Sequence, residues 1–485
     1  MRRRMLALVL LLALAAAGCA RREAPPAPQE PRVELNYYTI GEPDADLAQV
    51  NAALNRILLE RYGFTVNYHK VGWNDYENYL AAMVNTNQPF DIAFTWTDNY
   101  QNNAKTGTWL DLTPYLETEG SEMYQAIHEK FWKGVQIDGK ILGVPTNKEL
   151  AVPLQFVFSR ELVEKYSVDV SKYHTFHSLL PLLKMIAENE PEYIPLFMDS
   201  SRYDIMSTLG YEYITETLPL VVKTDGGECR LVNGFARPEV HSLLRTMRRY
   251  YQAGYINADA SIRTGFSRFG DEKVFLRLAT GGPDIDVSLS ESFGYGVIAV
   301  QVGQSVANTA STRAAVMAVS ARSQHPREAV QFLNALNTDP EIRNLLNFGI
   351  RGVHYELTEQ GQVRSISDGY QGVSYTQGNW FILRTREGEN PNRWEIFKEF
   401  NDSAQESMLL GFVPDYSGYT LQFDKIARIY ERYYSALITG TVAPDQFVPQ
   451  MNKELAEAGI DELRQVVQQQ IDDWLESQDS NQALP

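Results

Sequence analysis

Between Val33 and Thr95 the chain switches back and forth between two hydrophobic periods, and no other stretch limits its possible folds as strongly. Val33, Leu35 and Tyr37 recur at every second residue, as in a strand with one buried face. Leu47, Val50, Leu54, Ile57 and Leu58 then follow helical spacing and stop at Gly63, a residue suited to ending a helix. Phe64, Val66 and Tyr68 return to the strand period, Asp75 to Thr86 reads as a helix, and Pro89-Phe-Asp-Ile-Ala-Phe-Thr95 as a third strand. Strand, helix, strand, helix, strand implies parallel strands joined by right-handed crossovers, an α/β doubly wound sheet flanked by helices. Such sheets take ligands in the crevice beyond the carboxyl ends of their strands. The loops there are Ile40-Gly-Glu42, Gly72-Trp-Asn-Asp75 and Trp96-Thr-Asp-Asn-Tyr-Gln-Asn-Asn103.

A second constraint is the Gly- and Pro-punctuated run Ile137 to Pro153. Asp138-Gly139 is a hairpin dipeptide, because both central residues of that turn need positive φ. A short apolar strand, Ile141 to Val144, ends at Pro145, and a second apolar run, Leu154 to Phe158, resumes after Pro153. The polar insert Thr146-Asn-Lys-Glu149 is therefore expected between two buried strands, as a crossing between two halves with Asn147 and Glu149 facing a cleft.

Further on, helices are expected at Ser178–Glu188 and Pro238–Ala253 and turns at Gly281-Gly-Pro-Asp284. Ala314 to Ser320 reads as a strand and Pro326 to Asn337 as a helix, a unit that suits the first sheet better than a new domain. The last long helix, Ile460 to Leu475, puts Leu463, Val467, Ile471 and Trp474 on one face, and residues 476–485 read as a frayed polar tail. The expected division is lobe 1 over 33–145 and 312–347, and lobe 2 over 150–311 and 352–475 including a helical C-terminal region.

The chain begins with Arg2, Arg3 and Arg4 before an apolar stretch from Met5 to Ala17, the pattern of an export signal over residues 1–18. Its end, Ala15-Ala-Ala-Gly-Cys19, resembles a bacterial lipobox, although Ala16 stands where Leu is usual; the alternative is an ordinary cleaved signal with an incidental cysteine. A lipid on Cys19 and the Pro-rich residues 20–32 would make an anchor and a spacer. Cys229 is then the only other cysteine, so no internal disulfide is available. A formal charge of −17 argues against nucleic acid, whose phosphates it would repel.

Sites of known chemistry are mostly excluded. Gly294-Tyr-Gly-Val-Ile-Ala299 matches a dinucleotide fingerprint in letters, but Val297 to Val300 reads as a strand where a helix should open. No Walker A loop, His-Glu-x-x-His or Gly-x-Ser-x-Gly is present, and the seven histidines show no metal-ligand spacing, so no cofactor or metal is expected. Aromatic residues make up 11% of the chain, and their flat faces suit the C–H faces of sugar rings. Trp73, Trp96 and Tyr100 at strand ends, with Trp380 in Gln377-Gly-Asn-Trp-Phe381, are candidates for stacking, with packing as the alternative for the tryptophans. Asp98, Asn99, Asn147 and Glu149 are candidate hydrogen-bonding partners. For Asp98 and Glu149 a solvated or capping carboxylate, a sugar acceptor and a glycosidase carboxylate all stay open. Arg351, between Gly349 and Gly352, either projects into the cleft or sits on a plain surface turn; Arg202-Tyr203 is a weaker candidate of that kind.

Phe90-Asp-Ile-Ala-Phe-Thr-Trp96, Asp138-Gly-Lys-Ile-Leu-Gly-Val-Pro145 and Asn334 to Gly349, behind a lipobox and a Pro-rich tether, together resemble the extracellular solute-binding lipoproteins of carbohydrate ABC importers, similar in outline to maltose-binding protein. The segment from Gly378 to Tyr434, with Ala443-Pro-Asp-Gln-Phe447 and Ala458 to Leu463, further resembles a C-terminal domain of a Gram-positive-type branch. The resemblance implies a two-lobed periplasmic-binding-protein-like fold of type II and an oligosaccharide bound between hinged lobes. It also implies a non-enzymatic monomer, lipid-anchored on the extracellular face of the membrane, and delivery to the transmembrane subunits of an ABC permease. Two readings from other classes remain: a surface glycoside-active enzyme using Asp98 or Glu149, and a component that presents its ligand to a membrane sensor.

Overall fold

The computed structural model describes residues 33–225, 227–264 and 272–482; the leader, Cys19 and the tether lie outside the described residues. The first lobe begins with strand β1 (Glu34–Ile40), helix α1 (Leu47–Tyr62), β2 (Thr65–Val71), α2 (Tyr76–Asn85), β3 (Ile92–Thr95) and α3 (Thr97–Lys105). The chain leaves it through β4 (Val144–Pro145) and builds the second lobe from β5 (Leu154–Ser159), β6 (Ile194–Leu196), β7 (Val274–Thr280), α4 (Ile285–Phe293) and β8 (Val297–Gln301). It returns through β9 (Val306–Ala307) to β10 (Val316–Val319), α5 (Pro326–Thr338) and α6 (Pro340–Phe348). Helix α7 (Arg393–Ser403) and strand β11 (Gln405–Glu406) then lead to α8 (Thr420–Ile438), α9 (Pro444–Glu457) and α10 (Ile460–Gln482).

The alternating periods build the expected sheet. Its order is β2-β1-β3-β10-β4, with β1 parallel to β2 and β3, and with β10 antiparallel to β3 and β4. On α1 the apolar spacing buries Val50, Leu54 and Leu58 against this sheet, each worth about 1.5–3 kcal/mol. Gly63 ends the helix at φ 78°, in the left-handed region that suits glycine. The second sheet, β8-β5-β7-β6, is mixed: β7 runs antiparallel to β5 and parallel to β6. Gly294 closes α4 where a dinucleotide site would need it to open a helix.

Each lobe has its own core. Leu35, Leu54, Ile92, Val144, Val316 and Leu333 belong to the first; Phe156, Leu196, Leu276, Tyr430, Val448 and Ile471 belong to the second. The cores correct the expected division at one place. Tyr370 and Ala404 bury in the first core, Phe348, Tyr355, Leu383 and Trp394 form a small third cluster, and the second core resumes only at Leu409. Residues from about 350 to 404 are thus not part of the second core, and α10 continues to Gln482 through the expected tail.

Three crossings join the lobes, at 146–153, 302–308 and 404–409. The second is held on β5, where Gly303 N donates to the Leu154 carbonyl (3.0 Å), and it bonds the third, with Gln405 N on Ser305 O (2.8 Å) and Ser407 N on Ala307 O (3.0 Å). The third crossing also touches a buried carboxyl of lobe 2, because Ser407 Oγ donates to Glu212 (2.7 Å). Burial pushes Glu212 up to about 7 and its neighbour Asp204 up to about 6. Both folded-state values lie above the unfolded ones, so the stability these groups contribute is complete below about pH 4 and lost as pH rises through about 7. Glu212→Gln should therefore raise the urea midpoint at pH 8 and leave it nearly unchanged at pH 4.5; an equal shift at both pH values would contradict this.

Candidate functional site

The carboxyl ends of β1, β2 and β3 form the rim of the first lobe. At the end of β2, Trp73 is exposed; its backbone N–H donates to Glu42 (3.2 Å) and its ring stacks on Tyr375, with centroids 5.7 Å apart. At the end of β3, Trp96 is extended, half-buried and stacked on Phe94 at 5.6 Å. Thr97 opens α3 at φ 28° with its N–H on the Arg313 carbonyl, which leaves Asp98 exposed in the first helical turn and Asn99 half-exposed near Glu77.

Three expected ligand contacts take other places in the structure. Tyr100 has no exposed surface: its hydroxyl donates to the Val135 carbonyl (2.7 Å) and its ring lies under the buried Arg313 guanidinium. Two residues along a 3.6-residue period separate Asp98 and Tyr100 by about 200°, so one faces solvent and the other the core. Asn147 is 2% exposed and serves the hinge, not an open cleft. Its amide donates to the Ala126 carbonyl (3.0 Å) and to Asn379 (3.2 Å), and its backbone pairs with segment 371–380 on both sides. Arg351 is exposed on the turn that His354 ties to Asp46 and is bridged to Tyr355.

Glu149 lies in the first crossing, and Trp380 bonds that crossing through the Asn147 carbonyl. The Lys148 ammonium lies 2.8 Å from Glu149, whose second oxygen is buried without a partner. Trp380 donates its backbone N–H to Asn147 O and its indole N–H to Ser374 O, and it packs against Trp394 and Phe397. The second lobe approaches this cluster through the turn after β7. A Cβ on Gly282 would lie 3.0 Å from the Phe397 ring and 3.8 Å from Glu149, so a backbone without a side chain fits closely there. Asp284 pairs with Arg393, whose guanidinium lies over Trp394 at 4.7 Å.

Trp73, Trp96, Asp98 and Asn99 thus lie at the rim of the first lobe, Glu149 lies in the crossing with Trp380, Arg393 and Phe397 beside it, and Gly282 and Asp284 approach from the second lobe. Sequence reasoning missed Tyr375, Gly282, Asp284, Arg393 and Phe397. Gly281-Gly-Pro-Asp284 was legible as a turn, and its place at a strand's carboxyl end was the signal that it faces a cleft. Three cavities lie elsewhere among the described residues. One of about 1240 Å³ runs between Gln101, Gln136 and Arg313 on lobe 1 and Phe412 and Trp474; one of about 500 Å³ lies among Tyr211, Lys223 and Arg237; and one of about 320 Å³ lies among Asn36, Asp91 and Ser323 at the far pole.

Two lobes with separate cores, joined by three crossings, are the architecture of a two-lobed binding protein. The sequence matches the model for bacterial extracellular solute-binding proteins over residues 53–353, and the chain belongs to that family. Residues 408–476 match a domain of unknown function. A carbohydrate ABC transporter substrate-binding protein of Streptococcus pneumoniae is 29% identical over 457 residues, 91% of either chain. The crystal structure of an N-glycan transport solute-binding protein from S. pneumoniae, NgtS, superposes with a TM-score of 0.84 at 28% identity, covering 92% of this chain and all of that one. Its complexes with Man1GlcNAc and Man5GlcNAc superpose at 0.70 and 0.68.

The hinge geometry yields one prediction. Asn147→Leu leaves the Ala126 carbonyl without this donor and removes one of the two bonds to the Asn379 oxygen, which should cost about 1–3 kcal/mol of stability. An unchanged denaturant midpoint would show that the bridge contributes nothing to the fold.

Proposed function

We propose that this chain is an extracellular binding protein, lipid-anchored through Cys19, that captures an oligosaccharide between its lobes and delivers it to an ABC import permease without transforming it. The observation that carries the reading is the composition of the cleft: exposed or half-exposed Trp73, Trp96 and Trp380 for sugar C–H faces, with Asp98, Asn99, Asp284 and Arg393 beside them for hydroxyls. The names of the pneumococcal relatives support a carbohydrate ligand and point first to mannose–GlcNAc oligosaccharides.

Closure would be a hinge motion at the three crossings, favoured by contacts a ligand makes only when both lobes reach it. The relatives support this too. One pneumococcal protein, at unchanged identity and coverage, fits this chain at 0.84 in one crystal and near 0.7 in two complexes. Two lobes that keep their own folds give that pattern when the angle between them differs.

A micromolar ligand binds with about −8 kcal/mol, and at 100 times its dissociation constant it adds about 2.7 kcal/mol of stability. A thermal-shift panel should accordingly show a rise of a few degrees with Man1GlcNAc-type oligosaccharides and none with amino acids or peptides. A rise with a peptide alone would overturn the sugar reading, and release of a cleaved product would move the case to the glycoside-active enzyme. Asp98→Ala should weaken the bound sugar at least tenfold with little change in the ligand-free midpoint. Cys19→Ser should release the protein from the membrane fraction into the medium, and retention on the membrane would contradict the lipid anchor.

A further inference from the structure

Segment 371–380 has almost no regular structure, yet Thr376 and Gln377 are fully buried and Asn379 is 4% exposed. Polar groups of the first lobe hold it along its length. Lys70 donates to the Gln371 carbonyl (2.8 Å), Arg343 to the Ser374 carbonyl (2.8 Å), the Tyr37 hydroxyl to Gln377, and Asn379 to the Asn337 carbonyl (3.0 Å). Gly378 fits at φ +66°, where a Cβ would lie 2.6 Å from the Leu336 carbonyl and 2.8 Å from Arg343 Cδ. At the outer edge of this seat Tyr375 lies against Trp73, with the two residues 36% and 44% exposed.

Arg343 is the unusual member. It is wholly buried, and no ion pair among the described residues includes it; its second bond goes to Asn347 (3.4 Å) and its other neighbours are Tyr37, Tyr68 and Tyr370. Removing a guanidinium from water costs several kcal/mol unless a partner charge offsets it. An apolar residue of similar volume would fill the site at lower cost, but it could not bond the Ser374 carbonyl. That carbonyl also receives the Trp380 indole N–H, so one buried cation fixes the backbone from which both aromatic side chains project.

We propose that Trp73 and Tyr375 form one aromatic seat for a single sugar ring of the ligand, and that Arg343 is its positioning residue. The inference rests on the oligosaccharide reading above. Both rings keep more than a third of their surface exposed, which leaves aromatic face for the C–H face of a pyranose, and Glu42, Asn74 and Asp75, exposed beside Trp73, supply acceptors for ring hydroxyls.

The test compares Tyr375→Ala, Arg343→Met and Arg343→Lys with wild type by titration calorimetry, using an oligosaccharide that wild type binds, alongside urea midpoints. In parallel, each protein's emission is compared with that of its Trp73→Phe partner without ligand, which isolates Trp73. Tyr375→Ala should bind about tenfold more weakly at an unchanged urea midpoint. Arg343→Met should lose a similar factor and shift the Trp73 emission, and Arg343→Lys should recover part of both. Should Arg343→Met fail to fold, Gln377→Leu releases the same segment from the other side. Wild-type affinity in Tyr375→Ala overturns the seat, and unchanged affinity and emission in Arg343→Met or Gln377→Leu overturn the positioning role. If wild type binds no oligosaccharide the functional reading fails, while the ligand-free emission still decides whether Arg343 positions Trp73.

Discussion

The bridge between Asn147 and Asn379 is the contact on which the arrangement depends. Where a chain passes between two cores it leaves its sheet, and its peptide groups must find partners that neither core provides. At the first crossing side-chain amides do this: Asn147 reaches Ala126 and Asn379, and Asn401 bonds both the Leu150 N–H and the Lys148 carbonyl. The backbone of segment 371–380 completes the set through Gly378 and Trp380. The crossing therefore comes with Trp380 and α7 attached, so the aromatic cluster of Trp380, Trp394 and Phe397 sits beside an element that passes between the lobes.

The first lobe repeats this logic with charge. Arg313 and Arg343 are both buried, and burial pushes both down to about 10. Arg313 bonds the Gly134 and Gln136 carbonyls and Gln101, tying α3 to the helix that precedes the first crossing. Arg343 ties α6 to the segment that follows it. The rim above them is exposed, half-polar and short of regular structure, so its geometry has to be set from beneath.

The architecture was legible where one physical pattern decides it. The periods 2 and 3.6 over 33–95 determine the parallel sheet, and the return of 314–347 to that sheet followed from its apolar run and helix. The hairpin at Asp138-Gly139 follows from two positive φ angles, observed at 50° and 73°. The site was legible only to the level of strand ends. Trp73, Trp96 and Asp98 could be placed there, because a loop's position beyond a strand follows from topology. Tyr100 and Asn147 could not be oriented, since facing inward or outward depends on partners such as Val135 and Asn379 that are remote in sequence. Tyr375, Phe397 and Arg393 escaped for the same reason: nothing near them in the chain says that they return to the cleft.

We propose that a sugar closes the two lobes about these crossings. It is tested most directly by electron–electron resonance between spin labels at Asn78→Cys on α2 and Glu291→Cys on α4, both exposed positions, with Cys19 replaced. The distance distribution should be broad without ligand and should shorten and narrow when a bound oligosaccharide is saturating. A distribution that stays the same while calorimetry shows the sugar bound would contradict it.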